Sequence, residues 1–179
     1  MAHGKVIWIT GLSGAGKSTL AKGISAELKI LGEQVIILDG DELRSILLEK
    51  TKELDRYARA RRIELAMCYS KLCKNLANQG FTVVISTISM FTEIYSWNEE
   101  NLPNYFLVYL DVPLDVREKR DPKGIYKGFR DGKIRNFVGL DQSFDEPIAP
   151  DWRPVFDPDT TNDLMVKNLI AVLLERGYL

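Results

Sequence analysis

The chain has 179 residues, of which 45% are hydrophobic and 27% charged, and its formal net charge at pH 7 is -1. This length is enough to bury a core and predicts one domain over residues 1–179. The lack of a basic excess argues against a general nucleic-acid-binding or membrane-surface role. Cys68 and Cys73 have no His or Cys at metal-ligand spacing, which indicates a reducing, cytoplasmic compartment.

The first predicted strand, residues 6–9, leads into a segment that fits the pattern G-x-x-x-x-G-K-[ST] at the start of a helix. Glycines let successive backbone N–H groups point into one concavity that holds phosphate oxygens, and the helix N-terminus adds partial positive charge. Lys17 is expected to reach the β- and γ-phosphates, and the Ser18 hydroxyl to bind Mg²⁺. The alternative is a glycine-rich turn without a ligand. The predicted nucleoside triphosphate site comprises Gly11, Leu12, Ser13, Gly14, Ala15, Gly16, Lys17, Ser18 and Thr19.

The rest of the chain alternates short apolar runs with helical patterns. Further strands are predicted at residues 35–38, 81–85 and 105–110, and a weak one at 155–156. Helices are predicted over residues 16–31, 53–78 and 160–176, with Gly32 and Gly80 ending the first two. The expected inward faces of the last two helices are Ile63, Ala66, Met67, Leu72, Cys73 and Leu76, and Leu164, Ile170, Leu173 and Leu174.

Continuous apolar strands separated by helices predict an α/β fold, a mainly parallel sheet covered by helices on both faces. Ligands of such sheets bind at the carboxyl ends of the strands. Polar residues follow three strands, at 11–19, 39–41 and 86–89, so we expect them to converge on one cleft. Residues 121–150 are rich in Gly, Pro and charge, and the part at about 121–140 is predicted to be a lid segment.

Several protein classes share this kind of phosphate loop. Residues 121–124 fit the D-x-x-G pattern of GTPases, but they follow a helical stretch, and no Asn-Lys-x-Asp guanine-binding motif occurs. The motif context therefore argues against a GTPase. A nucleotide-dependent switch without a small acceptor remains an alternative to a kinase.

Four segments together carry a family resemblance: GLSGAGKSTLA at 11–21, LDGDELR at 38–44, RDPKGIYK at 120–127 and IRNFVGLD at 134–141. In this order they resemble the adenylylsulfate (APS) kinases over nearly the whole chain, most weakly at 50–101. The resemblance implies a P-loop kinase fold and transfer of the ATP γ-phosphoryl group, with Mg²⁺, to the 3′-hydroxyl of adenylylsulfate. It also implies that a homodimer is an option for this chain.

Phosphoryl transfer requires positioning and charge stabilisation. Asp41, after the second strand, is the candidate to accept or orient the proton of the attacking hydroxyl, and Asp39 could hold a metal-bound water. Capping of the following helix is the alternative role for Asp41. Ser89 matches the serine that is phosphorylated in the family, although a backbone-bonding role fits equally well.

The resemblance assigns the remaining site residues. Arg44 and Arg56 match arginines that bind the charged end of the acceptor, where a planar guanidinium suits paired oxygens. Phe137 matches the aromatic that stacks on the acceptor base, with core packing as the alternative. Arg120 is expected to face the ATP adenine. The predicted substrate-binding set is Asp39, Asp41, Arg44, Arg56, Arg59, Ile88, Ser89, Lys123, Lys127 and Phe137; the two lysines are expected to close over the phosphates.

The departures from the family pattern lie in the acceptor half. No aromatic stands between Arg44 and Arg56, and Arg59 replaces the family's Asn. Residues 88–92 read Ile-Ser-Met-Phe-Thr where the family has Ile-Ser-Pro, an aromatic and Arg. The loss of one stacking face could weaken adenine preference by about 1–3 kcal/mol. A cytidine-linked acceptor, cytidine diphosphoramidate, is therefore the alternative to adenylylsulfate.

Overall fold

The computed structural model describes residues 4–47 and 59–179. Its strands are β1 (Lys5–Thr10), β2 (Val35–Asp39), β3 (Thr82–Ser86) and β4 (Tyr105–Tyr109). Its helices are α1 (Lys17–Ile30), α2 (Gly40–Leu47), α3 (Arg59–Asn78), α4 (Thr92–Asn101), α5 (Leu114–Arg120), α6 (Ile125–Arg130) and α7 (Asn162–Glu175).

The four strands form one parallel sheet in the order β2-β3-β1-β4. Their apolar residues alternate between two cores, so that both faces of the sheet are covered. Trp8 lies in the core beneath α3 and α4, and Ile7 and Ile9 lie in the core beneath α1 and α7. The predicted three-layer α/β fold is confirmed, because a strand buried on both faces requires a helical layer on each side.

The predicted strand at 155–156 is wrong. The segment before it makes a single bridge to β4, in which Tyr109 N donates to Trp152 O at 2.9 Å and Trp152 N donates to Leu107 O at 3.1 Å. Pro154 has no N–H to continue this ladder, and Val155 is 90% exposed. The segment leaves the sheet at this point and continues along the cleft described below.

Two predicted helix faces need correction. Leu164 and Leu174 of α7 are 47% and 53% exposed, and Leu72 of α3 is 37% exposed. The buried stripe of α7 instead repeats at three- and four-residue spacing, which places Leu164 and Leu174 off the face that meets α1. The buried positions of these helices include Val166, Leu169 and Leu173 in α7, and Leu65, Ala66, Tyr69, Cys73 and Ala77 in α3.

Candidate active site

A single cleft of about 1130 Å³ opens at the carboxyl ends of the strands. Its walls contain residues from all three polar clusters, from α5 and the lid segment, and from the stretch that precedes α7. The predicted convergence of the clusters is confirmed. It follows from the parallel sheet, since the loops after β1, β2 and β3 leave the same edge.

The phosphate loop between β1 and α1 needs its glycines for both conformation and space. Gly11, Gly14 and Gly16 have φ values of 147°, 79° and 94°. A Cβ on Gly11 would lie 2.6 Å from Leu110 O, and one on Gly14 would lie 3.0 Å from Arg117 O. The loop is therefore held close to its neighbours. Ala15 N donates to Leu12 O at 3.2 Å within the loop, and the other backbone N–H groups can form an anion-binding concavity at the start of α1.

Lys17 is half-buried at the floor of the cleft, and its Nζ donates to Leu12 O at 3.0 Å. Burial lowers the pKa of Lys17 to about 8, while the nearby carboxylates of Asp41 and Asp39 partly oppose this effect. An anion in the loop would stabilise the charged ammonium, because opposite charges raise the pKa of a cationic group. A phosphate bound in the loop would therefore raise the pKa of Lys17.

Asp39, at the end of β2, collects three hydrogen bonds. Its carboxylate accepts from Ser18 Oγ at 2.6 Å, Ser86 Oγ at 2.9 Å and Asp41 N at 2.9 Å. Burial alone would raise the pKa of Asp39, but these bonds hold it below its usual value. The ionised carboxylate beside a serine hydroxyl is a hard-oxygen donor set of the kind that suits Mg²⁺, which takes few protein ligands. The residues present therefore fit this ion.

Asp41 lies at the first turn of α2, with its side chain 60% exposed in the cleft. Asp39, not Asp41, bonds the N–H groups at the start of this helix, since it accepts from Asp41 N. The carboxylate of Asp41 is left to contact Lys123 Nζ of the lid segment and to lie 3.9 Å from Arg44 Nη1. This carboxylate can therefore interact with a hydroxyl entering the cleft.

The lid segment brings some of its predicted site residues to the cleft. Lys123 lines it and contacts Asp41. Arg120, at the end of α5, donates to Gly14 O at 3.3 Å, and its guanidinium lies 5.9 Å from the centroid of Phe156. Lys127 is exposed and lies outside the cleft lining, where its backbone N donates to Asp121 Oδ2 at 3.0 Å.

The other end of the cleft is formed by Arg44, Ile88 and Phe137. Phe137 is 7% exposed and packs its ring against the ring of Tyr126, with a centroid distance of 4.7 Å. It therefore belongs to an aromatic cluster and also lines the cleft, so the two roles considered from the sequence are compatible. Arg62 of α3 reaches the same end and donates to Gln142 Oε1 at 2.8 Å.

The remaining predicted site residues lie beside the cleft or outside the described residues. Arg59 forms ion pairs with Asp145 at 3.0 Å and Glu93 at 3.6 Å. Ser89 is 7% exposed, has a φ of 26°, and shares a 2.7 Å hydrogen bond with Thr87. Arg56 belongs to the stretch that the structure does not describe.

Sequence reasoning did not assign several other residues to the cleft that line it: Arg62, Val155, Phe156 and Met165. Arg62 stands in a run of arginines whose facing depends on the rotation of α3. Nothing in the composition of residues 154–165 marks them as a wall of the cleft.

The chain matches the family model described as adenylylsulphate kinase over residues 3–153. A cytidine diphosphoramidate kinase of Campylobacter jejuni is 41% identical over 80% of this chain and 82% of its own length. An adenylyl-sulfate kinase of Clostridium acetobutylicum is 38% identical over 98% of this chain and 86% of its own length. A solved APS kinase of Mycobacterium tuberculosis, in complex with AMPPNP and APS, has a TM-score of 0.86 and 33% identity, covering 97% of this chain and 99% of that one.

No helix within the described residues has the length and apolar character needed to cross a membrane.

Proposed function

Because the chain belongs to the adenylylsulphate kinase family of ATP-dependent kinases, we propose that it transfers the γ-phosphoryl group of ATP to the 3′-hydroxyl of adenylylsulfate, giving 3′-phosphoadenylylsulfate. One observation carries the proposal. A single cleft joins the phosphate loop with Lys17 to an end that presents the Asp41 carboxylate, Arg44 and Phe137. Donor and acceptor can then meet at Asp41, as in-line transfer requires.

The donor end holds the triphosphate through backbone N–H groups of the loop and through Lys17. These groups stabilise the negative charge of the transferring phosphoryl group, which is the main task of the protein in this reaction. Ser18 and Asp39 would hold Mg²⁺, which supplies charge neutralisation to the phosphates. The guanidinium of Arg120 lies 5.9 Å from the centroid of the Phe156 ring, and we assign both side chains to the adenine of ATP.

The acceptor end provides the base. The 3′-oxygen bonds to the γ-phosphorus as the bond from that phosphorus to the β–γ bridging oxygen breaks, and ADP leaves. The hydroxyl proton passes to Asp41, whose exposed carboxylate faces the cleft. Lys123 is within bonding distance of Asp41 and can turn to the phosphates when they arrive. Lys127 would need a further movement of the lid segment to reach them.

The charged end of adenylylsulfate is assigned to Arg44 and Arg56, and its base to the exposed part of Phe137. Arg44 lines the cleft with its side chain 26% exposed. Ile88 and Ser89 follow β3 at the same edge of the sheet. Ser89 is largely enclosed by its bond to Thr87, which favours a backbone-positioning role over phosphorylation.

Cytidine diphosphoramidate is the second candidate acceptor, favoured by one relative and one substitution. The Campylobacter jejuni relative carries that name at 41% identity, and Arg59 stands where the family has Asn. The ion pairs of Arg59 with Asp145 and Glu93 tie it to the wall beside the cleft. Its effect on the acceptor would therefore be to reshape that wall.

Parallel assays decide between the acceptors. Purified protein with ATP and Mg²⁺ is given either adenylylsulfate or cytidine diphosphoramidate, and kcat/KM for ADP release is measured for each. We expect adenylylsulfate to have the higher kcat/KM. A higher value for cytidine diphosphoramidate would make it the acceptor. Slow ADP release with water alone, unchanged by both acceptors, would contradict a kinase and favour a nucleotide-dependent switch.

We also propose a domain organisation, a cellular compartment and an oligomeric state for the protein. The chain acts as one kinase domain over residues 1–179 with a lid segment at 121–140, in the cytoplasm, where its thiols Cys68 and Cys73 stay reduced. A homodimer is our expectation for its assembly. Sedimentation of the purified protein tests this expectation.

A further inference from the structure

Tyr126 joins the lid segment to the phosphate loop through a hydrogen bond of its side chain. It lies in α6 and is 2% exposed. Its hydroxyl donates to Ser13 O of the phosphate loop at 2.8 Å and accepts from Arg117 Nη1 at 2.6 Å. One phenol therefore connects α5, α6 and the donor-binding loop.

The ring of the same tyrosine reaches the acceptor end. Its centroid lies 4.7 Å from that of Phe137 at an interplanar angle of 67°, an edge-to-face contact. Such contacts depend on ring orientation, because the positive edge of one ring meets the negative face of the other. Phe137 is also held through its backbone N, which donates to Asp141 Oδ1 at 2.5 Å. The position of the Tyr126 ring thus restrains the ring that lines the acceptor end.

Arg117 makes the third contact that holds Tyr126 in place. It is 6% exposed, and its Nε donates to Val112 O at 2.9 Å, which leaves Nη1 directed at the phenol. Burial raises the pKa of Tyr126, so its hydroxyl keeps the proton that it donates to Ser13 O. The hydroxyl has one defined donor and one defined acceptor, and this arrangement holds the ring in a single orientation.

We propose that Tyr126 is a positioning residue that couples nucleotide binding at the phosphate loop to the placement of Phe137 at the acceptor end. The inference rests on the proposed function, since it assigns Phe137 to the acceptor. When the triphosphate orders the loop, the Ser13 carbonyl holds the phenol, and the ring holds Phe137 ready to stack. Because coupling of two binding equilibria is reciprocal, a bound acceptor must tighten donor binding by the same factor.

The test measures this factor with a donor that is not turned over. AMPPNP affinity is measured by calorimetry without acceptor and with saturating adenylylsulfate, or with cytidine diphosphoramidate if that is the acceptor turned over. We expect the acceptor to tighten AMPPNP binding about tenfold in the unaltered protein, within the usual range of such coupling. In Tyr126→Phe, which keeps the ring but loses the hydroxyl, the factor should fall below about twofold.

Tyr178→Phe is the matched control. The Tyr178 hydroxyl donates to Tyr105 O at 2.6 Å, and its ring meets Phe106 edge-on at 4.9 Å, away from the cleft lining. Loss of this hydroxyl should lower thermal stability but leave the coupling factor unchanged. A merely structural role for Tyr126 would give the same result as this control, with reduced stability and unchanged coupling.

Phe137→Leu is the second variant, for the case in which Tyr126→Phe does not fold. It should also remove the coupling while AMPPNP alone still binds. The inference would be overturned if either folded variant kept the coupling factor of the unaltered protein, or if the unaltered protein showed no coupling. In both cases, turnover of an acceptor would still support the kinase proposal. Absence of turnover of both acceptors by the unaltered protein would overturn the proposed function and this inference together.

Discussion

The proposed donor and acceptor ends of the cleft are built in different ways. The phosphate-binding part of the donor end is one continuous segment, 11–19, in which backbone N–H groups, glycines and Lys17 follow each other from the end of β1 into α1. The acceptor end takes Arg44 from α2, Ile88 from the loop after β3, and Phe137 from the lid segment. A site made of main chain changes little with single substitutions, whereas a site made of separate side chains can change its ligand. This contrast is consistent with the different acceptors in the names of two relatives, a cytidine diphosphoramidate kinase and an adenylyl-sulfate kinase.

The largest effect is expected at the donor end, from Lys17→Ala. The variant loses the only side-chain cation of the phosphate loop that stabilises the transferring phosphoryl group, so kcat should fall about 1000-fold. Lys22→Ala removes an exposed lysine of the same helix and should leave kcat unchanged. Steady-state kinetics with saturating substrates measure both variants. Equal activity in the two would break the assignment of Lys17.

The next largest effect is expected where the two ends meet, from Asp41→Asn. This change keeps the shape but removes the proton acceptor, and kcat should fall about 100-fold. AMPPNP affinity should stay within a factor of two, because the loop amides are untouched. Glu42→Gln, at the neighbouring exposed position of α2, is the control. A parallel loss of AMPPNP affinity would place Asp41 in the donor end instead.

A smaller effect is expected at the acceptor end, from Arg44→Ala. Loss of hydrogen bonds to a charged group costs about 2 kcal/mol, which corresponds to about a 30-fold rise in acceptor KM. ATP KM should not change. Arg61→Ala, which breaks an exposed ion pair with Glu64 at 2.7 Å, should change neither constant. A rise in ATP KM after Arg44→Ala would show that Arg44 contributes to the donor end as well as to the acceptor end.

The smallest effect concerns pH and the donor end alone. In the protein without bound ATP, burial lowers the pKa of Lys17 to about 8. Bound phosphates raise that pKa because they favour the charged form. ATP binding therefore takes up a proton near and above pH 8. Affinity should fall about twofold between pH 7 and pH 8 and about fivefold between pH 8 and pH 9, and stay nearly level below pH 7. Calorimetry in buffers of different ionisation enthalpy measures the uptake. Lys17→Met should abolish the pH dependence, and its persistence there would assign it to another group.

Local patterns were sufficient for most of the fold. The four strands and the helices α1 and α7 lie within a few residues of their predicted positions, because apolar runs and glycine stops are local signals. The prediction of a strand at 155–156 was wrong because the backbone N–H groups after Pro154 have no strand partner to which they could donate. The exposed Leu164 and Leu174 show that a leucine in a helix need not face inward, since the facing depends on where α1 packs.

The site divides in the same way. The phosphate loop and the polar ends of β2 and β3 were found because residue type and position after a strand identify them. Arg62, Phe156 and the contacts of Tyr126 were not found, because each depends on how a helix or a long loop is turned in space. The ion pairs of Arg59 likewise depend on partners 34 and 86 residues away, as Glu93 and Asp145 show.

The amino-acid sequence alone determined that this chain has a phosphate-loop motif between a strand and a helix, and that its polar strand ends share one edge. These properties follow from backbone conformation and from the topology of parallel strands, which short patterns encode. Only the tertiary structure decided that Lys123 contacts Asp41, that Lys127 lies outside the cleft, and that one phenol links Ser13 to the acceptor end. The physical reason is that side-chain contacts between distant segments depend on packing angles and distances, which no local pattern contains.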